Sequence, residues 1–147
     1  MADQTAEILL VEDGPDDVTL FVSIFEKTGL SARLCAVPDG AEALEFIFAT
    51  GRHASRSLAN KPKLIVLDLK LPKVSGLEVL RRLKATPDTK SIPVVVLSSS
   101  QEERDLIESY ALGANSYVVK PMDFDQFTAS VQALTQYWLQ VNQTPKH

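Results

Sequence analysis

Three runs of four residues without a single polar side chain, Ile8–Val11, Leu64–Leu67 and Val94–Leu97, constrain this chain most. A strand that is apolar at every position has to be covered on both faces, which is the mark of a parallel sheet between layers of helices. The segments between them fit. After Ile8–Val11 the chain stops at Glu12-Asp13-Gly14-Pro15, and Asp16 and Asp17 suit the positive end of a helix dipole. Val18, Phe21, Val22 and Phe25 then recur at helical spacing until Gly29. Leu34–Val37 reads as a weaker strand closed by a Pro38-Asp39-Gly40 turn, and residues 41–50 are rich in helix formers. Leu64–Asp68 precedes Ser75, which with Glu78 forms a capping box for the helix carrying Leu77, Leu80 and Leu83. Pro93–Leu97 ends in Ser98-Ser99-Ser100, and a helix over 101–112 closes at Gly113. Tyr117–Val119 is a short fifth strand, Lys120-Pro121 a turn, and a last helix runs from Asp123 to about Asn142.

Five strands alternating with five helices predict one α/β domain over about residues 7–141, a doubly wound parallel sheet with right-handed crossovers. Residues 52–63 carry Arg52, His53, Arg56, Lys61 and Lys63 without periodicity and read as a basic surface loop. Composition mostly excludes. The lone Cys35 forms no internal disulfide, His53 and His147 leave little for a histidine metal site, and a net charge of −4 gives no reason to bind nucleic acid. No stretch approaches the ~18 apolar residues of a membrane span, and the polar start at 1–7 is no signal peptide. A cytoplasmic protein is expected, with no output module after the last helix.

Ligands of doubly wound sheets bind at the carboxyl ends of the strands. Those ends carry Glu12 and Asp13, then Asp68, Ser98 and Lys120. Singly, such residues are helix caps or turn formers. Together they form a cluster of carboxylates that would repel and raise one another's pKa unless a cation joins them. Mg²⁺ suits hard carboxylate oxygens and accepts phosphate oxygens as well, while Lys120 adds a positive charge and Ser98 a donor. A phosphoryl anion fits that site, with the central carboxylate as nucleophile.

Ile8–Asp13, Asp68-Leu69-Lys70-Leu71-Pro72 with Ser75-Gly76, Ser98, and Tyr117–Pro121 together resemble the two-component response-regulator receiver family, the CheY-like domains. The resemblance covers residues 7 to about 140 and implies a flavodoxin-like sheet of order 2-1-3-4-5. It implies that Asp68 is the phospho-acceptor and that Asp13, Asp68 and the Lys70 carbonyl ligate Mg²⁺, with Glu12 on the metal through water. Ser98 would be the switch hydroxyl, Tyr117 the aromatic that swings inward, and Lys120 the phosphate-binding cation preceding a cis peptide. Glu12 stands where aspartate is commonest, a change a water-mediated contact tolerates. The long basic segment and the Tyr137-Trp138 pair are similar to stand-alone regulators of the phytochrome-associated type, which implies a sensor histidine kinase as partner. A haloacid-dehalogenase-type phosphatase would want an acid where Lys70 stands, a flavodoxin a phosphate loop in place of the acidic 12–17 segment, and a P-loop enzyme its Gly-Lys-Ser/Thr motif. A pseudo-receiver that only binds partners would usually have lost Asp68 or Lys120.

Two further expectations concern flanking positions. Lys70 and Ser100, each two residues past Asp68 and Ser98, would flank the phosphoryl group, Lys70 shielding it from water. Phe124, Phe127, Val131, Leu134, Trp138 and Val141 form an apolar stripe whose far end, Trp138 and Val141, is expected to project beyond the sheet. With Ile107 and Tyr110 it would make a homodimer face of the fourth helix, fifth strand and fifth helix, beside Tyr117.

Overall fold

The structure, a computed structural model, describes residues 6–30 and 32–144. The chain's first residues and its end at 145–147, with His147, lie outside the described residues. Five strands, β1 (Ile8–Val11), β2 (Leu34–Val37), β3 (Leu64–Leu67), β4 (Val94–Ser98) and β5 (Ser116–Val119), form one sheet in the order β2-β1-β3-β4-β5. Every neighbouring pair is parallel. The helices are α1 (Pro15–Lys27), α2 (Gly40–Phe48), α3 (Gly76–Ala85), α4 (Glu103–Ala111) and α5 (Phe124–Gln136). This is the doubly wound α/β fold and strand order expected.

The pleat divides the core in two. Leu9, Val11, Ile65, Leu67, Val94 and Val96 meet α2 and α3 through Ala43, Ile47, Val79, Leu80 and Leu83. Ile8, Leu10, Leu64, Val66, Val95 and Leu97 meet α1 and α5 through Phe21, Ile24, Phe25, Phe127 and Val131. Every residue of β1 and β3 is buried, as their uninterrupted apolar runs require. The helix starts follow their caps: the Asp39 side chain accepts from Glu42 N–H at 2.7 Å, opening α2 where a simple turn was expected. Ser75 Oγ accepts from Glu78 N–H at 3.2 Å, but the Glu78 carboxylate turns to Arg81 and Arg82, at 2.6 and 3.0 Å, so only half of the capping box is realised.

Two expectations are corrected. The segment after α2 is not a free basic loop. It opens with a 3₁₀ turn, Gly51–His53, and Arg52 and His53 both pair with Glu42 at 2.9 Å. Arg56 is buried: its guanidinium donates to the carbonyls of Phe46 and Asn60 and lies 3.8 Å over the Phe46 ring. A weakly hydrated planar cation can be buried in this way where lysine could not. The last helix is not one rod either. After Gln136 it widens into a π-helical turn, Tyr137–Val141, which re-aims its side chains. Trp138 packs half-buried onto the α1–α5 side of the core, so that of the two residues expected to project only Val141 is exposed. Tyr117 packs on the opposite side of the sheet, so Trp138 and Tyr117 do not share a surface.

Candidate functional site

Register brings the strand ends together. Val11 lies beside both Val37 and Leu67, and Ser98 beside Val119, so the residues that follow, Glu12, Asp68 and Lys120, leave the sheet along one edge with Ser98. Backbone bonds hold them there: Asp68 N–H donates to Val11 C=O at 3.1 Å and Lys120 N–H to Ser98 C=O at 2.8 Å. Behind Asp68, α3 begins against the chain itself. A β-carbon at Gly76 would overlap the Asp68 carbonyl, so only glycine lets the helix start this close.

The Lys120 ammonium occupies the centre. Its Nζ lies 2.6 Å from Glu12 Oε1, 2.9 Å from Asp17 Oδ2 and 3.2 Å from Asp68 Oδ2. Glu12 and Asp68 are buried, Asp13 is exposed, and the second Glu12 oxygen accepts from Gly14 N–H at 3.1 Å. Burial pushes the Glu12 carboxyl above its usual range, against the bonds from Lys120 and Gly14, while the Asp68 charge adds only the smallest push. Desolvation thus outweighs the mutual repulsion expected of the cluster, because Lys120 already stands between the acids. Burial acts to lower the Lys120 ammonium, yet its bonds to Glu12 and Asp17 and the Asp68 charge carry it above the ordinary lysine range.

Carboxylate oxygens of Glu12, Asp13 and Asp68 lie within 4.8 Å of one another. Three hard oxygen donors, one of them on an exposed residue that leaves room for waters, fit the needs of Mg²⁺. Lys70 follows Asp68 in the turn, its N–H 3.3 Å from Asp68 Oδ1 and its side chain in solvent. Ser98 is fully buried and its Oγ accepts from Ser100 N–H at 3.2 Å; the half-buried Tyr117 donates its hydroxyl to Ser100 C=O at 3.0 Å. Glu12, Asp13, Asp68 and Lys120 therefore converge, whereas Ser98 and Tyr117 engage the 99–102 connection.

Two differences from expectation stand out. Asp17, read as a helix-start acid, is a direct partner of Lys120. Its place in the first turn of α1, four residues past Asp13, was the available signal. No peptide bond among the described residues is cis, so Lys120–Pro121 is trans. The trans form is intrinsically favoured by about 0.5–1 kcal/mol before proline, and with it Lys120 reaches all three carboxylates.

Comparison with known proteins bears on the family and the fold. Residues 8–132 match the family model described as response regulator receiver domain. The chain is 38% identical over 138 residues to the response regulator Rcp1 of Synechocystis sp., covering 94% of this chain and 92% of that protein. It is equally similar, 38% over 138 residues, to the probable methanogenesis regulatory protein FilR2 of Methanothrix harundinacea, covering 94% and 86%. Among solved structures, the phosphorylated cyanobacterial phytochrome response regulator RcpA superposes with a TM-score of 0.89 at 37% identity, covering 96% of this chain and 99% of that one. The Mn²⁺-bound form of Rcp1 does so with 0.88 at 37% identity, covering 95% and 99%.

Proposed function

The chain belongs to the response regulator receiver domain family of two-component signalling proteins, and from that premise we propose that it takes a phosphoryl group from a sensor histidine kinase onto Asp68. The observation that carries this reading is the placement of the Lys120 ammonium against Asp68, with Glu12 and Asp13 beside them. Glu12, Asp13, Asp68 and the Lys70 carbonyl would hold Mg²⁺. When bound, the ion would neutralise the acids and the incoming phosphoryl oxygens.

An Asp68 carboxylate oxygen attacks phosphorus, the phosphorus–nitrogen bond to the donor histidine breaks, and the imidazole leaves with its electron pair. Lys120 then exchanges an acid for a phosphoryl oxygen, Ser98 turns its hydroxyl to another, and Tyr117 follows inward. Lys70 shields the acyl phosphate from in-line water, so Lys70→Ala should shorten its lifetime. The chain thereby catalyses only its own phosphorylation and dephosphorylation.

The likeness to the phytochrome response regulator RcpA suggests a phytochrome-type photoreceptor kinase as donor. A cytoplasmic location suits such a partner; no helix among the described residues is long and apolar enough to cross a membrane. The signal leaves by protein association or phosphorelay, not through nucleic acid. Ile107, Tyr110, Val119 and Phe124 are exposed apolar groups on α4, β5 and α5, and a homodimer would cover them. Trp138, half-buried in the core, is not its anchor. Transfer from a phosphorylated histidine kinase to this chain, lost in EDTA, tests the donor and the metal. Sedimentation with and without beryllofluoride, on wild type and Ile107→Lys, tests the dimer. No transfer from any such kinase, or a monomer throughout, would remove the corresponding part.

A further inference from the structure

A lysine ammonium has three N–H groups and no acceptor, and three carboxylates face that of Lys120. They are Glu12 Oε1 at 2.6 Å, Asp17 Oδ2 at 2.9 Å and Asp68 Oδ2 at 3.2 Å. The three acids are not equivalent. Glu12 and Asp68 belong also to the set that, with Asp13, fits a divalent cation, and Asp17 does not. The other oxygens of those two are engaged as well, Glu12 Oε2 by Gly14 N–H and Asp68 Oδ1 by Lys70 N–H. A cation on Glu12 and Asp68 therefore has to share their oxygens with existing donors, one of which is a positive charge that repels it.

The lysine cannot resolve that conflict by turning to solvent, because its side chain is only 12% exposed. An ammonium that gives up Glu12 and Asp68 needs another acid, since a buried charge without a partner is costly. Asp17 is the one carboxylate bonded to Lys120 that the cation set does not use. It stands in the first turn of α1 and not at a strand end. Its bond to Lys120 is charge-assisted, the stronger kind, and ties the start of α1 to the residue that follows β5.

We infer that Asp17 is a positioning residue that acts through Lys120. It keeps the ammonium bonded while a divalent cation takes Glu12 and Asp68, and so removes the lysine as the cation's competitor. The part played by the cation rests on the receiver reading; the bond between Asp17 and Lys120 does not. Without Asp17 the ammonium has only the cation's own ligands as acid partners, and the cation has to break those bonds in order to bind.

The test titrates Mn²⁺ into the full chain and follows the free ion by electron paramagnetic resonance. The proteins compared are wild type, Asp17→Ala, Asp16→Ala, Lys120→Met and the Asp17→Ala/Lys120→Met pair. Asp16 is the matched control: it carries the same charge in the same turn of α1 and is not a partner of Lys120. Loss of Asp17 should weaken Mn²⁺ binding about tenfold, and loss of Asp16 no more than about twofold. Lys120→Met should tighten binding, and Asp17→Ala added to it should cost no more than Asp16→Ala costs in wild type. A second measurement needs no change at Lys120. With saturating Mg²⁺, the Lys120 ammonium protons, seen through ¹⁵Nζ by NMR, should exchange with water about tenfold faster in folded Asp17→Ala than in wild type. Equal losses in Asp16→Ala and Asp17→Ala, a tenfold loss that persists in the folded double variant, or unchanged proton exchange would each overturn the inference. If wild type binds no Mn²⁺, the metal part of the receiver reading fails instead. Asp17 is then judged on exchange in the metal-free protein, where Asp17→Ala should still speed it and an unchanged rate would refute the role.

Discussion

Every residue of β1 and β3 is buried, while no residue of β5 is, and α4 buries only Ser109. The two halves of the sheet do different work. Glu12 and Asp68 emerge from strands locked between two helical layers, so the groups that would meet a metal and a phosphoryl have little freedom to drift. Ser98 and Tyr117 open onto a flank where α4 and β5 have few buried contacts to lose. A small site event can be converted into displacement there, because weakly packed elements open at low free-energy cost. Under the proposed function, fixed chemistry on the tight half and a moving readout on the loose half would let one fold hold a phosphoryl group and report it.

The comparison breaks first if its centre is not held by charge. Lys120→Ala leaves Glu12 and Asp68 buried together without a cation and should cost about 3–5 kcal/mol of stability. Urea unfolding should show the loss shrinking when Mg²⁺ is added, since the ion replaces the missing charge. Next, Leu67→Ala on β3, where the side chain has no exposure, should cost about 3 kcal/mol. Val119→Ala on β5, 37% exposed, should change stability by no more than about 0.5 kcal/mol. Equal costs at the two positions would dissolve the contrast.

A smaller effect sharpens the picture of α4. Its one fully buried side chain, Ser109, has a hydroxyl without a hydrogen-bond partner among the described residues. Ser109→Ala should therefore stabilise the protein, by about 1 kcal/mol in the same unfolding assay, and a loss would mean that the hydroxyl is satisfied in solution. The smallest effect concerns α3. Hydrogen bonds from Arg81 and Arg82 hold the Glu78 carboxyl down at about 2, below its ordinary 4.5. With the folded value depressed, the contribution is present above pH 4.5 and lost as pH falls toward 2. Glu78→Gln should flatten the acid limb of the stability curve slightly, because the carboxylate is exposed and solvent screens the pair.

Legibility in the sequence followed the same division. Ile8–Val11 and Leu64–Leu67 announce a two-sided central sheet because burial on both faces leaves no polar position. The acids at their ends and Lys120 at the end of β5 were legible as a set because ligands of such sheets bind at the carboxyl ends of the strands. The role of Asp17 was not, since an acid in a first helical turn already has a sufficient local cause in the helix dipole. Arg56 read as a solvated loop residue because nothing in residue type foretells a guanidinium bonded to two carbonyls over Phe46. The α5 stripe keeps its three- and four-residue spacing whether or not the helix widens after Gln136, so the inward turn of Trp138 left no trace in the pattern. Ser100 could be placed beside the site by its spacing from Ser98, but its bonds to Asp105 and Tyr117 exist only in three dimensions.

The central claim is that Asp68 is the acceptor and that the tight half of the sheet exists to present it. Purified wild type and Asp68→Asn, incubated with acetyl phosphate and Mg²⁺, should be compared for acid-labile phosphate by intact-mass spectrometry. The account predicts one phosphoryl group on wild type, none in EDTA, and none on an Asp68→Asn variant that keeps the wild-type circular dichroism. Labelling retained in Asp68→Asn, or absent from folded wild type with Mg²⁺ present, would contradict it.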